Sequence, residues 1–148
     1  MTKTIETLSP NDTGKALRAA LKTTFPGVKF SVRKDGYNTF RIRWTDGPMQ
    51  TEVDVIANAF QGTTFDGSTD STIYLHTQIE WNGGIYETGA GYVFTSRDLS
   101  DGWKAAAEER IRFLGYNGSD LDMACAIRMF LNGESIESAA HHNHLQLN

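Results

Sequence analysis

Apolar and polar residues recur along this chain with two different periods, and the switches between them outline its elements. Ala16, Leu17, Ala20, Leu21 and Phe25 follow three- and four-residue spacing, one side of a helix over 13–25. Asn11, Asp12 and Thr13 offer N-cap side chains for it, and Pro26-Gly27 stops it. The period then drops to two. Val28, Phe30 and Val32 alternate with Lys29, Ser31 and Arg33, and Phe40, Ile42 and Trp44 alternate with Arg41 and Arg43. Asp35-Gly36 marks a turn between them, so the two runs read as a hairpin with one apolar face.

Asp46-Gly47-Pro48 breaks the chain and opens a second helix over 49–60, with Pro suited to the first helical position. Its stripe is Val53, Ile56, Ala57 and Phe60. Gln61 to Ser71 reads as a polar loop. A strand over 72–81 follows, with Ile73, Leu75, Ile79 and Trp81 on one face. Asn82-Gly83-Gly84 is a hairpin turn, and Ile85–Glu87 and Gly91–Phe94 are the return. Gly89-Ala90-Gly91 signals a bulge or a close backbone approach.

Two more helices are predicted. One covers 101–114, capped by Ser100 or Asp101, with Trp103, Ala107, Ile111 and Leu114 inward and Gly115 at its end. The other covers 120–132, capped by Ser119 with Asp122 in a capping-box-like position, and faces Leu121, Ala124, Ile127 and Leu131 to the core. A short helix over 134–140 precedes a polar end. The order is α+β: a helix–hairpin–helix unit, a second β-hairpin and two C-terminal helices around a mainly antiparallel sheet. The expected organisation is a flexible arm over 1–12, one domain over 13–133 and a polar tail over 134–148.

Length and composition narrow the class. A chain of 148 residues buries a core without staples. No apolar run is long enough to span a membrane, and the N-terminus has no apolar signal segment. The lone Cys125 forms no internal disulfide and fits a reducing cytosol.

Charge changes the picture more. Up to Arg43 the chain carries nine cations against three anions, and the remainder five cations against fifteen anions. A basic first part and an acidic second part argue for an anionic ligand or a partner of matching two-signed surface. On the hairpin and first helix the candidate contacts are Lys22, Lys29, Arg33, Lys34, Arg41 and Arg43, beside Lys15 and Arg18. Arg is suited to two-pronged contact with phosphate or carboxylate, and Tyr37 at the turn offers a ring for stacking. The alternative is a solvated strand face that keeps an edge from aggregating. On the last helices Glu108, Glu109, Asp120 and Asp122 form a weaker candidate, an imitation of nucleic-acid phosphate. Helix N-terminal charges and solubilising faces explain them better.

Other chemistry is thinner. Asp66 and Asp70 flank a short loop that reads as a turn and has too few oxygen ligands for calcium. His141, His142 and His144 sit in the tail without a carboxylate or thiol at ligand spacing, and His76 stands alone on a strand. Cys125 lies among Ala124, Ala126 and Ile127, a setting for a buried thiol. No nucleophile elbow, Walker loop or zinc-protease motif is present, so neither catalytic residues, cofactor nor metal is expected.

The run Ala16-Leu17-Arg18-Ala19-Ala20-Leu21-Lys22, then Phe25-Pro26-Gly27-Val28-Lys29-Phe30-Ser31-Val32-Arg33, then Arg43-Trp44-Thr45-Asp46-Gly47-Pro48 and Phe65-Asp66-Gly67-Ser68-Thr69-Asp70, is distinctive. In this order it resembles the large polyvalent protein-associated domains of phages, plasmids and conjugative elements. The resemblance covers roughly residues 13–95 and implies a mobile-element origin. Companions of such domains counter host defence or protect incoming DNA. The resemblance therefore implies a non-enzymatic accessory protein that binds a host protein or defence complex, such as a CRISPR effector or restriction enzyme. The alternative is a nucleic-acid-binding module using the basic hairpin.

Overall fold

The computed structural model describes residues 5–148, which form an α+β fold of five helices and nine short strands. The first helix, α1, spans Pro10–Thr24 and starts earlier than its apolar spacing predicted. Its N-cap is Ser9, whose hydroxyl accepts from the Asp12 amide at 3.1 Å, and Pro10 takes the first helical position. A Ser-Pro pair is a better start than the Asn-Asp-Thr run that follows, so those residues lie inside the helix. The expected arm over 1–12 changes accordingly. Its first four residues lie outside the described ones. The Glu87 amide donates to the Glu6 carbonyl and the Leu8 amide donates to the Glu87 carbonyl, both at 2.9 Å, and the remainder begins α1.

β1 (Ser31–Asp35) and β2 (Thr39–Thr45) form the predicted antiparallel hairpin, and β7 (Val93–Asp98) joins it in a three-stranded sheet with β2 in the middle. Lys29 and Phe30 precede β1. The inward set Val32, Phe40, Ile42 and Trp44 is buried, as period two requires. α2 (Gln50–Phe60) follows a turn in which the Trp44 indole N–H donates to the Pro48 carbonyl at 2.9 Å. Pro48 stands ahead of the helix because the Glu52 carboxylate reaches back to the Met49 amide at 2.7 Å and fixes the cap there. α1, α2 and the inner sheet face share one core, centred on Leu17, Leu21, Phe40, Ile42 and Val53.

The polar stretch 61–71 is not a loop. β3 (Thr63–Asp66) and β4 (Ser71–Tyr74) form a hairpin, and β5 (Gln78–Trp81) and β6 (Gly84–Glu87) form another. Asn82 and Gly83 close the second at φ 49° and 80°, the conformation an Asn-Gly turn favours. The single strand predicted over 72–81 breaks at His76, φ 53°, because its two ends pair with different segments. The Leu75 amide donates to the Gly62 carbonyl, whereas the Thr77 carbonyl accepts from the Thr88 amide. Ile79 is buried, but Ile73 and Leu75 are exposed.

Gly89-Ala90-Gly91 is the close approach that its composition predicted. The Gly89 amide donates to the buried Thr13 hydroxyl at 2.9 Å, and the Gly91 amide donates to the Asn38 carbonyl at 2.8 Å. The Ala90 and Gly91 carbonyls both accept from the Gly62 amide, at 3.2 and 3.1 Å. A Cβ on Gly89 would stand 2.1 Å from the Leu8 carbonyl oxygen.

The chain divides into two compact units, where the sequence predicted one domain over 13–133. The first ends at Arg97 and the second is Asp98–Asn148. In the second, α3 (Asp101–Phe113), α4 (Asp120–Leu131) and α5 (Ile136–His142) surround a separate core, and β8 (Tyr116–Asn117) pairs with β9 (Gln146–Leu147). Ser100 and Ser119 cap α3 and α4 as predicted. The inward faces are corrected in part, since Ala107, Ile111 and Ile127 are buried as predicted. Trp103 and Leu114 are 40% and 43% exposed and Leu121 is 74% exposed, while Met123, Ala126 and Ile127 are buried. α4 packs against both α3 and α5, which rotates its buried stripe. The segment expected as a polar tail supplies Ile136, Ala139, Ala140 and Leu145 to this core. Among the described residues no helix is long and apolar enough to cross a membrane.

Gly89→Ala forces a methyl group into backbone, not into a yielding side chain. A loss of about 3 kcal/mol is expected. Thermal denaturation should show it, and Gly67→Ala, where the backbone is not left-handed and the added carbon comes no nearer than 3.9 Å to the Phe65 ring, is the control for the methyl group alone.

Candidate functional site

The outer face of the three-stranded sheet gathers the strongest charge. Register places Arg33 directly opposite Arg41 and Ser31 opposite Arg43, so the three guanidinium-bearing positions share one solvent face. All three are exposed. Like charges directly opposite one another on a sheet oppose folding. Asp35 offsets part of this, accepting from Arg41 Nε at 2.9 Å, but an exposed pair of this kind contributes little. Arg41 also lies over the Phe94 ring, 5.2 Å from its centroid. Tyr92 and Phe94, two apart on the chain, stack at 5.8 Å with their planes 7° apart. Phe94 is 46% exposed, an unusual place for such a ring. Arg41, Arg43, Phe94 and Ser96 border a shallow depression of about 240 Å³. Cationic forks beside an open aromatic ring suit a ligand carrying both anions and flat rings.

The other predicted cations do not all join this face. Lys34 is opposite Phe40 on the inner side of the hairpin, and its ammonium donates to the Asn11 side chain at 3.1 Å. Arg18 donates to the Val32 carbonyl at 2.9 Å and so occupies the free edge of β1. Lys15 stands 3.7 Å from Asp12. Lys22 is exposed in the last turn of α1, where the helix dipole favours it, and Lys29 is exposed ahead of β1. Tyr37 is 79% exposed at the hairpin turn, as expected of a contact residue. The basic set thus separates into a sheet face and an α1 flank.

The acidic candidates mostly have local partners. Glu108 accepts two bonds from Arg112, at 3.0 and 3.1 Å. Asp120 and Asp122 occupy the first turn of α4, where the dipole favours them, and Glu109 is exposed on α3. Asp66 accepts from the hydroxyl and amide of Ser68, at 2.6 and 2.9 Å, which makes the predicted turn and holds its carboxyl below the ordinary value. His142 faces Ser138 and lies 3.8 Å from Glu134. His141 and His142 are on α5, and His144 follows it. Cys125 is half-buried, not fully enclosed as its neighbours implied. Among the described residues no group of three or more His, Cys, Asp or Glu side chains converges as a metal site would.

Residues 8–100 match the family model of large polyvalent protein associated domain 29. The chain belongs to this family. The match contains the sheet, its outward Arg and aromatic residues and both small hairpins, and it ends before α3. Membership makes this a protein associated with phages and mobile elements. No curated protein and no solved structure matches the chain.

Sequence reasoning missed Phe94 and Tyr92 as surface residues of this polyvalent-protein domain. A signal was present, because Val93 and Thr95 alternate with them, but which parity faces water depended on where β7 docks. Asp66 provides a check on the turn. Its lowered folded value means its contribution is present above the unfolded value and lost as pH falls through the folded one. Carboxyl NMR should place the Asp66 midpoint below that of an ordinary Asp, and Ser68→Ala should return it upward.

Proposed function

We propose that this mobile-element protein binds single-stranded nucleic acid on the outer face of its three-stranded sheet. The observation that carries the reading is the Arg33–Arg41 cross-strand register with Phe94 beside it. A like-charged cross-strand pair does not serve folding, and Phe94, 46% exposed, leaves part of its ring in water. Both features become favourable when phosphates and bases cover them. Phosphates would meet Arg33, Arg41 and Arg43, and a base would stack on Phe94 where the Arg41 guanidinium now lies over the ring, once that guanidinium turns to a phosphate. Aromatic stacking tolerates any base, so the binding expected is weak in sequence preference and steep in salt. Tyr37 at the end of the hairpin extends the same track.

A second reading is contact with a host protein, including inhibition of a defence complex. Exposed apolar side chains in the second unit favour it: Phe113 is 86% exposed, Leu121 74% and Leu147 64%. The two readings use different units of the chain and separate by mutation.

Binding of labelled oligonucleotides across a salt series tests the first. Phe94→Ala should weaken binding by about 1–3 kcal/mol. Arg41→Ala/Arg43→Ala should lower the slope of log affinity against log salt by about 0.7 for each phosphate no longer neutralised. Binding that is unchanged in both variants, or absent at low salt, would remove the sheet as a nucleic-acid site and direct the search to Phe113 and Leu121.

A further inference from the structure

A second concavity lies at the turn end of the β1–β2 hairpin, away from the Arg residues. It is a cleft of about 450 Å³ formed where the chain entering α1, the hairpin turn and the ends of the two small hairpins meet. Its composition differs sharply from that of the sheet. Among the described residues no Lys or Arg lines it; Tyr37, Tyr74, His76, Glu87 and Thr88 do, beside the close-packed backbone at Gly62. Tyr37 and Tyr74 are 79% and 72% exposed. Glu87 is held by His76, whose Nδ1 lies 3.2 Å from Oε1.

The construction at His76 is specific. His76 takes a left-handed φ of 53°, which His adopts more readily than most side chains but which still needs support from its surroundings. Here the neighbours on both sides are pinned, Leu75 to the Gly62 carbonyl at 2.9 Å and Thr77 by the Thr88 amide at 2.8 Å. Glu87 is pinned likewise by the chain before α1. The imidazole and carboxylate therefore come from two rigid backbone positions, as preorganised site residues do.

Chemistry limits the occupant. A cleft without a fixed cation is a poor phosphate site. A carboxylate accepts from hydroxyl donors, and exposed tyrosine rings stack flat rings. A nucleoside unit has both a flat base and a sugar with hydroxyls. We infer that the cleft takes a ribonucleoside unit, its base against Tyr37 or Tyr74 and its ribose 2′-hydroxyl donating to Glu87. The inference rests on the strand-binding reading, since the hairpin that carries the Arg face ends at Tyr37. It deepens that reading by making the strand RNA, because the 2′-hydroxyl is the group that deoxyribose lacks.

The test compares oligouridine with oligodeoxyuridine of equal length, so that only the 2′-hydroxyl differs. The wild-type protein should prefer RNA by about tenfold, the scale of one hydrogen bond to a charged acceptor. Glu87→Ala should bring the two affinities together by weakening RNA alone. Tyr74→Ala, at an exposed position that leaves folding intact, should weaken both strands. Equal affinities in the wild type, or a preference that survives Glu87→Ala, would overturn the inference. If neither strand binds, the strand-binding reading fails, and free uridine against 2′-deoxyuridine, followed by NMR of the His76 ring, reads the cleft alone. A saturable shift with uridine only, lost in Glu87→Ala, sustains the ribonucleoside site; no shift refutes it.

Discussion

The segment Gly89-Ala90-Gly91 is the constraint on which the first unit depends. Backbone from the start of α1, the end of α2, the β1–β2 hairpin and the β3–β4 hairpin converges on it. Thr13 and Thr88 are buried to complete this convergence, giving and receiving the bonds that backbone alone does not supply. Buried polar groups of this kind are acceptable because they are paired. Glycine at 89 is required by contact and not by backbone angle, since the Leu8 carbonyl occupies the place of a side chain. The cleft beside this junction follows from the same geometry. Elements meeting end-on at a point leave a concavity between their ends.

The three-stranded sheet divides its work between faces. The inner face carries Phe40, Ile42 and Trp44 into a core with α1 and α2, and burial there supplies the stability. That surplus permits an outer face on which Arg33 opposes Arg41. Arg18 meanwhile covers one carbonyl of the β1 edge, that of Val32. Two different demands are met by cations that look alike in the chain. Arg18 protects the fold, and the sheet-face arginines point their charge outward.

The second unit holds itself together by different means. Serine caps start α3, α4 and α5, and small residues at Ala126, Ala139 and Ala140 allow close helix packing. Its acidic side chains mostly complement helix N-termini or pair within a turn or so. The charge asymmetry of the whole chain therefore has two origins. The basic part is concentrated partly by register on a sheet, whereas the acidic part is spread along helices with local partners.

Much of the first unit was legible in the sequence, because period two and period 3.6 are local properties. The hairpin, its Arg-bearing outer face, α1, α2, the Asn-Gly turn and the close approach at 89–91 all follow from neighbours in the chain. Family membership was legible for a similar reason, from short runs in order. What failed was nonlocal. The polar stretch 61–71 became a hairpin because its strands pair with one another, and hydrogen bonding does not require apolar residues. Leu121 is exposed because α5 packs on α4, and a segment read as a polar tail brought the apolar side chains that set the buried stripe. The sequence by itself determined which residues alternate, that Ser100 and Ser119 cap α3 and α4, and that the backbone comes close at 89–91. Only the tertiary structure decided that Arg18 reaches the β1 edge, that Phe94 lies beneath Arg41, and that His76 meets Glu87, since each depends on docking between segments distant in the chain.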